Sequence, residues 1–380
     1  MKVLFNATTL VMGGALQVAV SFIKQSLIND ADIDWYFAIS KEVFRELAED
    51  DVVKMSSRFT VFEKSPAKSK SQRKRLFELS DNNKFDVVFT LFGPAYLKFK
   101  IPHVCGVADG WVTHSNLLAF KSLGSISASL KMLLTMIYKA IWYKKSTSWI
   151  VEANNAKLGL IKRLRVKPNS IHVIENSCGQ HYFSHESVIP DFKALKTIRV
   201  LCMSAYYAHK NLEIIPEIAK HLFNKNDDYN FEFVLTLPAD SAGLVKILKK
   251  AKLLGVEKFI CNIGPVLVND GPTVYEGCHI VLLPSFLETF SANYPEAMAM
   301  SRPIVTCDLE HAHNACKDSA LYFEPTCAKS AADNIRLLLD DPYLLKSLIM
   351  KGNEVLQTLP TPEQRYNQYI DVIRIGIAKT

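Results

Sequence analysis

Two glutamates in the second half of the chain, Glu288 and Glu296, have the side-chain type and the position needed to hold sugar hydroxyl groups. They flank a polar loop that follows an apolar run, and Pro295 stands where a first helical residue is favoured. A helix start presents free backbone amides and the positive end of the helix dipole, so the amides of Phe290 and Ser291 are candidate donors to a diphosphate. The alternative is a surface acid at 288 and a first-turn helix acid at 296.

A lysine follows the first strand predicted in that half of the chain. Lys210 lies in the sequence Ala208-His209-Lys210-Asn211-Leu212, after the apolar run that ends near Met203. A cation at this place can neutralise a diphosphate while negative charge builds on the leaving group. A solvent-exposed lysine in a loop before a helix is the alternative interpretation.

Gly13 and Gly14 follow the first strand of the chain. Paired glycines at a helix start permit close approach of the backbone to a ligand, although a tight turn needs them equally. The segment lacks the GxGxxG pattern of dinucleotide-binding proteins, which argues against a dehydrogenase.

Asp109 and His114 follow another strand, which is predicted over residues 103–107. Either side chain could hydrogen-bond a sugar or an acceptor. The alternatives are a turn aspartate before Gly110 and a histidine with no part in a site.

Short β-rich runs alternate with helical patterns along the whole chain, and the alternation breaks once, near residue 190. This order predicts an α/β protein with two doubly wound parallel sheets. We expect domains at residues 1–190 and 191–362, with a last helix at about 363–380 that packs back on the first domain. Ligands of such sheets bind beyond the carboxyl ends of the strands, where all of the residues above lie.

The segment from Pro284 to Asp308 resembles the retaining glycosyltransferases of family 4, also called glycosyl transferases group 1. The resemblance is carried by Glu288 and Glu296 in a Glu-x7-Glu spacing, by Glu296-Ala-Met-Ala, and by Arg302-Pro303-Ile-Val-Thr-Cys-Asp308. It implies the GT-B fold, in which two Rossmann-like domains face a central cleft.

The resemblance also implies roles for single residues. Glu296 would hold the ribose hydroxyls of a nucleotide, Glu288 the hydroxyls of the donor sugar, and the amides of Phe290 and Ser291 the diphosphate. Lys210 matches the family's lysine site, and Gly13 and Gly14 would lie near the donor phosphates and the acceptor.

Three positions depart from the family pattern. Ser291 stands where the family usually has glycine, Ala205 where it commonly has arginine, and Ala108 where it often has histidine. The second departure leaves Lys210 as the single clear cation for the diphosphate. No carboxylate is placed as a nucleophile, so the family's front-face retaining route is expected, without a metal or other cofactor.

Composition favours a cytoplasmic protein with a membrane contact. The formal net charge is +7, a basic run extends from Lys64 to Arg75, and none of the eight cysteines is in a CxxC pair. No signal peptide or spanning segment is evident. Residues 117–149 carry lysines among apolar and aromatic residues, typical of an interfacial helix on anionic lipid. A mobile basic loop and ordinary core helices are the alternatives.

Together with the resemblance, these observations predict a retaining hexosyltransferase of polysaccharide or lipopolysaccharide synthesis. It would move a sugar from a nucleoside diphosphate to a hydroxyl group of a saccharide acceptor, which we expect to be lipid-linked. A sugar-nucleotide epimerase on the same fold and a non-catalytic sugar-nucleotide-binding subunit are the alternatives. A nucleic-acid binder is not expected, because basic residues and aromatics do not interleave in one segment.

Overall fold

The computed structural model describes residues 1–29, 32–185, 187–223 and 229–378. These residues form two compact units. The first unit comprises Met1–Ser115, Ser125–Ser177 and the chain from Pro360 onward, and the second comprises Asn116–Gly124 and Cys178–Leu359.

The first unit is built on a parallel sheet, for which seven strands are found among the described residues, in the order β3-β2-β1-β4-β5-β6-β7. Its strands are β1 (Lys2–Ala7), β2 (Asp34–Ser40), β3 (Phe59–Phe62), β4 (Val87–Thr90), β5 (His103–Gly106), β6 (Ser148–Val151) and β7 (Ile171–Val173). Its helices are α1 (Gly14–Asn29), α2 (Lys41–Arg45), α3 (Glu49–Met55), α4 (Lys70–Asn82), α5 (Gly110–His114), α7 (Ile126–Tyr143), α8 (Asn154–Leu164) and α16 (Pro362–Ala378).

Alternate residues of the strands face opposite layers of helices, as the pleat of a strand requires. Val3 and Phe5 of β1 pack into the cluster that contains residues of α1 and α16. Leu4, between them, packs into another cluster with Leu76 of α4. The last helix therefore completes the core of the first unit, and Tyr366 packs its ring 5.0 Å from that of Phe22.

The second unit has a parallel sheet with strand order β10-β9-β8-β11-β12-β13, six strands being present in the described ranges. They are β8 (Thr197–Cys202), β9 (Asn230–Leu235), β10 (Ile260–Asn262), β11 (Ile280–Leu283), β12 (Ile304–Cys307) and β13 (Ala320–Phe323). The helices are α6 (Leu117–Lys121), α9 (Ile215–Leu222), α10 (Ala242–Leu254), α11 (Gly271–Glu276), α12 (Asn293–Ala299), α13 (Glu310–Cys316), α14 (Ala328–Asp340) and α15 (Pro342–Thr358).

Each sheet is doubly wound, because its strand order runs outward in both directions from one pair of central strands. The pair is β1 and β4 in the first sheet and β8 and β11 in the second. Connections from such a pair leave toward opposite faces, so a crevice forms beyond the carboxyl ends of these strands. The predicted site residues of the second unit lie in the loops after β8 and β11 and in α12, the helix that follows the second loop.

The division between the units lies between Ser177 and Cys178, earlier than the break that the sequence pattern places near residue 190. The reason is the packing of a 3₁₀ turn, Gln180–Ser184, which the sequence pattern does not distinguish from a linker. Its Tyr182 is buried in the second unit, where its ring lies 5.7 Å from that of Tyr275.

The basic run and the apolar region both contain regular structure. The second half of the run forms the first turns of α4, capped by the Ser69 hydroxyl, so this half is not a mobile loop. The apolar region forms α6 and α7, and Tyr143 alone is buried among the described residues of α7, which is therefore not an ordinary core helix. No helix in the described ranges has the length and apolar composition needed to cross a bilayer.

Candidate functional site

Lys210 of the second unit lies at the end of a 3₁₀ turn, Ala208–Lys210, after β8. Asn211 follows with φ of 53°, a left-handed conformation that asparagine tolerates, and it turns the chain toward α9. The Lys210 ammonium donates a hydrogen bond to the carboxylate of Glu288, from the loop after β11. Both side chains are largely buried, with 18% of Lys210 and 10% of Glu288 exposed, so the pair is shielded from bulk water.

Two further hydrogen bonds hold these loops together. The backbone amide of Phe286 donates to the carbonyl oxygen of His209 at 2.7 Å. The side-chain amide of Asn293 donates to the carbonyl oxygen of Met203 at 2.5 Å. Since β8 and β11 are adjacent strands, these bonds and the Lys210–Glu288 pair hold the two loops next to each other at the carboxyl ends of the strands.

Glu288 is ionised in this environment. Burial opposes ionisation, but the Lys210 ammonium outweighs it and lowers the pKa of Glu288 below its ordinary value. His311 and His209 act in the same direction and therefore lie close enough to sense the carboxylate charge. His311 belongs to α13, just after β12, and is almost fully buried. His311 is not among the residues predicted from the sequence, although its position after a strand end was a usable signal.

The loop before α12 differs from the prediction in one respect. Pro295 is not the first helical residue, because α12 begins two residues earlier, at Asn293. Ala292 already has helical backbone angles, and the Ser291 carbonyl accepts from the Tyr294 amide at 3.2 Å. In the part of the chain that is described, the amides of Phe290 and Ser291 donate to no protein group, so both remain available as donors to a ligand.

Glu296 lies within α12 and has a different partner. It is 2% exposed, and its Oε2 accepts a 3.0 Å hydrogen bond from the hydroxyl group of Tyr275, at the end of α11. Burial raises the pKa of Tyr275 most, and the charge of Glu296 raises it further. The hydroxyl therefore keeps the proton that it donates. Tyr275 is not among the residues predicted from the sequence, since no spacing rule links it to Glu296.

Gly13 and Gly14 lie in the first unit, where the loop after β1 meets the start of α1. Gly13 has φ of +75°, which favours glycine, and a Cβ built there would meet no atom within 4 Å. The backbone conformation is therefore what requires glycine at position 13, and the space beside it is open. Gly14 begins α1, and the Leu16 amide donates to the Gly13 carbonyl at 3.0 Å.

Asp109 of the first unit has protein partners for both carboxylate oxygens. Oδ1 caps α5 by accepting from the Val112 amide at 3.2 Å, and Oδ2 accepts from the Lys139 ammonium at 2.8 Å. The predicted turn aspartate is thus a helix cap and an ion-pair partner, and Lys139 was not foreseen. His114 ends α5, with its Nδ1 2.7 Å from the Thr113 hydroxyl.

The structure brings together part of the predicted set. Lys210, Glu288 and the free amides of Phe290 and Ser291 lie on two tethered loops of the second unit, and Glu296 follows on the adjoining helix. The candidates of the first unit lie at the ends of β1 and β5. Over the described ranges, no group of three or more His, Cys, Asp or Glu side chains is arranged to hold a metal ion.

Comparisons with known proteins agree with this arrangement. The family described as Glycosyl transferases group 1 matches residues 197–341, which cover most of the second unit. The O-antigen chain mannosyltransferase RfbU of Salmonella typhimurium is 26% identical over 218 residues. That match covers 55% of this chain and 55% of the relative, so the aligned part spans about half the length of the curated relative.

Solved structures resemble the whole chain. Anabaena HepE in complex with UDP has a TM-score of 0.69 at 13% identity, with 99% of this chain and 100% of that chain covered. WaaG, a glycosyltransferase involved in lipopolysaccharide biosynthesis, has a TM-score of 0.71 at 13% identity, with 98% and 99% covered. At such low identity this similarity concerns the fold.

The fold is thus that of the GT-B glycosyltransferases, as the sequence predicted. The family model described as Glycosyl transferases group 1 matches residues 197–341, and the resemblance noted in the sequence is confirmed for this part of the chain.

Proposed function

We propose that this chain is a glycosyltransferase that moves a sugar from a nucleoside diphosphate to a hydroxyl group of a saccharide acceptor. The observation that carries the proposal is the buried Lys210–Glu288 pair, beside unpaired loop amides, within a group 1 domain. A cation and amide donors suit a diphosphate, and a carboxylate suits sugar hydroxyls. The second unit would therefore bind the donor.

The same residues can stabilise the negative charge that develops during the reaction. Breaking the glycosidic bond to the diphosphate leaves negative charge on the departing phosphate oxygen. Before a donor binds, the carboxylate of Glu288 balances the positive charge of Lys210. A diphosphate would draw the ammonium toward the phosphates. Glu288 would then accept from hydroxyls of the donor sugar, while the amides of Phe290 and Ser291 stabilise the phosphate charge.

We further propose retention of the anomeric configuration, in a reaction that uses no metal or other cofactor. Its support is the family resemblance and the presence of Lys210 and loop amides, which can neutralise a diphosphate in place of a metal ion. The departing phosphate oxygen would help to deprotonate the acceptor hydroxyl, and Asp109 or His114 would orient the acceptor from the first unit. Glu296 would hold the ribose hydroxyls.

The donor sugar is proposed to be a hexose, since the curated relative is named a mannosyltransferase. The acceptor is proposed to be a lipid-linked saccharide of polysaccharide or lipopolysaccharide synthesis, because the relatives' names refer to O-antigen and lipopolysaccharide. Such an acceptor would place the protein in the cytoplasm, at the inner face of a membrane.

The test begins with a panel of nucleotide sugars screened for thermal stabilisation of the protein. Release of nucleoside diphosphate from the best donor is then measured with the wild type, Lys210→Ala, Glu288→Gln and the control Lys351→Ala, which changes an exposed lysine of α15. We expect a fall of roughly 100-fold for Lys210→Ala, as for loss of an oxyanion donor, and no change for the control. Full activity in both site variants would end the proposal.

The two other functions have different signatures. An epimerase would convert the sugar of the donor in the absence of an acceptor, which product analysis detects. A non-catalytic subunit would be stabilised by a nucleotide sugar without releasing nucleoside diphosphate from it. Ala205 and Ala108, which replace polar residues of the family pattern, are the features that favour this last alternative.

A further inference from the structure

Helix α7 of the first unit exposes a continuous apolar face. Its large aliphatic side chains recur at helical spacing, and each is between 43% and 90% exposed. Single exposed apolar residues are ordinary on protein surfaces, but a contiguous row of them marks an interaction surface. We call this row the apolar stripe, which consists of Ile126, Leu130, Leu133, Leu134, Ile137 and Ile141.

A pocket of about 710 Å³ lies beside the stripe. Its walls come from α4 and the C-terminal part of α7, and residues 96–98 complete it. No acidic residue lines it, whereas five basic residues do, so it attracts anions. We call it the basic pocket, and its basic residues are Lys70, Arg73, Lys74, Lys98 and Lys145.

Aromatic rings join the stripe to the pocket. Tyr138 and Trp142, both on α7, lie 5.9 Å and 6.5 Å from the ring of Tyr96. Tyr96 has φ of 58°, an uncommon conformation for a bulky residue, so the surrounding structure holds this ring in place at a backbone cost. The buried indole N–H of Trp142 has no acceptor in the described part of the chain.

The combination identifies the kind of partner. Tyrosine and tryptophan rings favour the headgroup level of a bilayer, with apolar side chains below them and lysines at the lipid phosphates. An amphipathic helix of this type lies in the plane of the interface, with its apolar face at the boundary between headgroups and acyl chains. Because basic residues line the pocket and acidic ones do not, the pocket would attract an anionic lipid surface.

We propose that α7 docks the first unit on an anionic phospholipid surface, with the apolar stripe in the acyl boundary and a lipid phosphate in the basic pocket. The proposal deepens the proposed function, since it explains how the enzyme would meet a lipid-linked acceptor. The binding itself requires no sugar nucleotide. Failure of the glycosyltransferase assay would therefore leave the result of the lipid experiment readable.

The experiment is flotation of the full chain with vesicles of phosphatidylcholine alone or with phosphatidylglycerol, at low and high salt. We expect binding only to the anionic vesicles, weakening as salt screens the lysines. Equal binding to neutral vesicles, or no binding at either salt, overturns the proposal. Binding of soluble glycerol phosphate without vesicle binding also overturns it.

Charge-matched variants locate the binding. The pocket variant changes Arg73, Lys98 and Lys145 to Gln, and the control changes three exposed lysines of the second unit to Gln. Each basic residue near an anionic surface adds roughly a fivefold factor, so the pocket variant should lose roughly 100-fold in affinity. Equal losses in the two variants would show non-specific attraction and overturn the pocket assignment. The control residues are Lys249, Lys346 and Lys351.

A stripe variant with Leu130, Leu134 and Ile141 changed to Ser tests insertion. These side chains are exposed, so the fold should persist, and circular dichroism checks this. Fluorescence quenching by lipids brominated on the acyl chain should decrease in this variant and in Trp142→Phe. Unchanged quenching in both contradicts insertion at α7. A dimer in sedimentation that the stripe variant abolishes would assign the stripe to a second copy of the chain and overturn the membrane assignment.

Discussion

The Tyr275 hydroxyl group donates a 3.0 Å hydrogen bond to Oε2 of Glu296, and both side chains are almost completely buried. The bond connects α11 to α12 and fixes one carboxylate oxygen of Glu296. A buried carboxylate held in this way keeps a defined orientation, because rotation would leave the phenol only a 3.5 Å contact with the carbonyl oxygen of Asn293. The carboxylate of Glu296 is therefore oriented by the protein itself.

We expect Tyr275→Phe to lower the free energy of unfolding by about 1–3 kcal/mol, the cost of a lost hydrogen bond to a charged group. If Glu296 holds the ribose, nucleoside diphosphate affinity should also fall, by roughly tenfold. Urea unfolding and thermal stabilisation by the nucleotide measure the two effects. Tyr36→Phe, at a half-buried tyrosine of the first unit, is the control. An unchanged affinity in Glu296→Gln would remove Glu296 from the nucleotide site.

Asp109→Asn separates a catalytic role from a structural one. Asparagine caps helices as well as aspartate does, so the cap on α5 should remain while the charge opposite Lys139 is lost. We expect turnover to fall by roughly 100-fold, as when one positioned polar group is removed from a site, with a nearly unchanged melting temperature. Lys139→Gln breaks the same ion pair from its other side. Equal loss of turnover in both variants would assign the effect to the pair.

His103 should make the protein acid-sensitive. The ring is buried between the hydroxyls of Thr90 and Ser146, and burial lowers the pKa of His103 to about 3. In the unfolded chain the His103 ring takes up a proton near pH 6.5, but in the folded chain it does so only near pH 3. Stability is therefore fully present above pH 6.5 and decreases as the pH falls through this window, by up to about 1.4 kcal/mol per pH unit.

Urea unfolding at pH values between 7 and 4, with about one measurement per pH unit, determines this slope. In His103→Asn the free energy of unfolding should be lower at pH 7 and depend less on pH. His221→Asn changes an exposed histidine and should keep the wild-type slope. An identical slope in His103→Asn and the wild type would contradict the assignment.

Arg365 should stabilise the attachment of α16 to the first unit. The residue is 4% exposed, and its guanidinium donates to the side-chain carbonyl of Asn176, which lies just before the division between the units. We expect Arg365→Met to lower the free energy of unfolding by about 1–3 kcal/mol, because the buried Asn176 oxygen loses this donor. Arg374→Met, at an exposed position of the same helix, should change it little. Equal effects in urea unfolding would exclude a special role for Arg365.

Much of the architecture follows from local sequence. The starts of α4 and α10 could be placed from the sequence, because each helix has its own start signal, the hydroxyls of Ser69 and Ser241. The apolar strands likewise could be placed, since buried parallel strands form continuous apolar runs. The start of α12 could not be placed from local sequence. The helix begins at Asn293, before Pro295, and this start is accompanied by a hydrogen bond from Asn293 to the distant Met203.

The candidate site was predictable as a list of residues but not as a set of partners. Glu288, Glu296 and Lys210 could be selected because each follows a strand end, where parallel sheets bind ligands. Their partners depend on which strands become neighbours. Lys210 and Glu288 are 78 positions apart in the chain, and Tyr275 and Glu296 are 21 apart. No local periodicity encodes such pairs.

The amino-acid sequence by itself determined the two doubly wound sheets and the places where polar side chains follow their strands, because these depend on short-range hydrophobic patterns. The tertiary structure alone decided which side chains pair and which face of α7 remains uncovered. An amphipathic pattern shows that a helix has an apolar face, but only the packing of neighbouring elements decides whether that face joins a core or meets solvent.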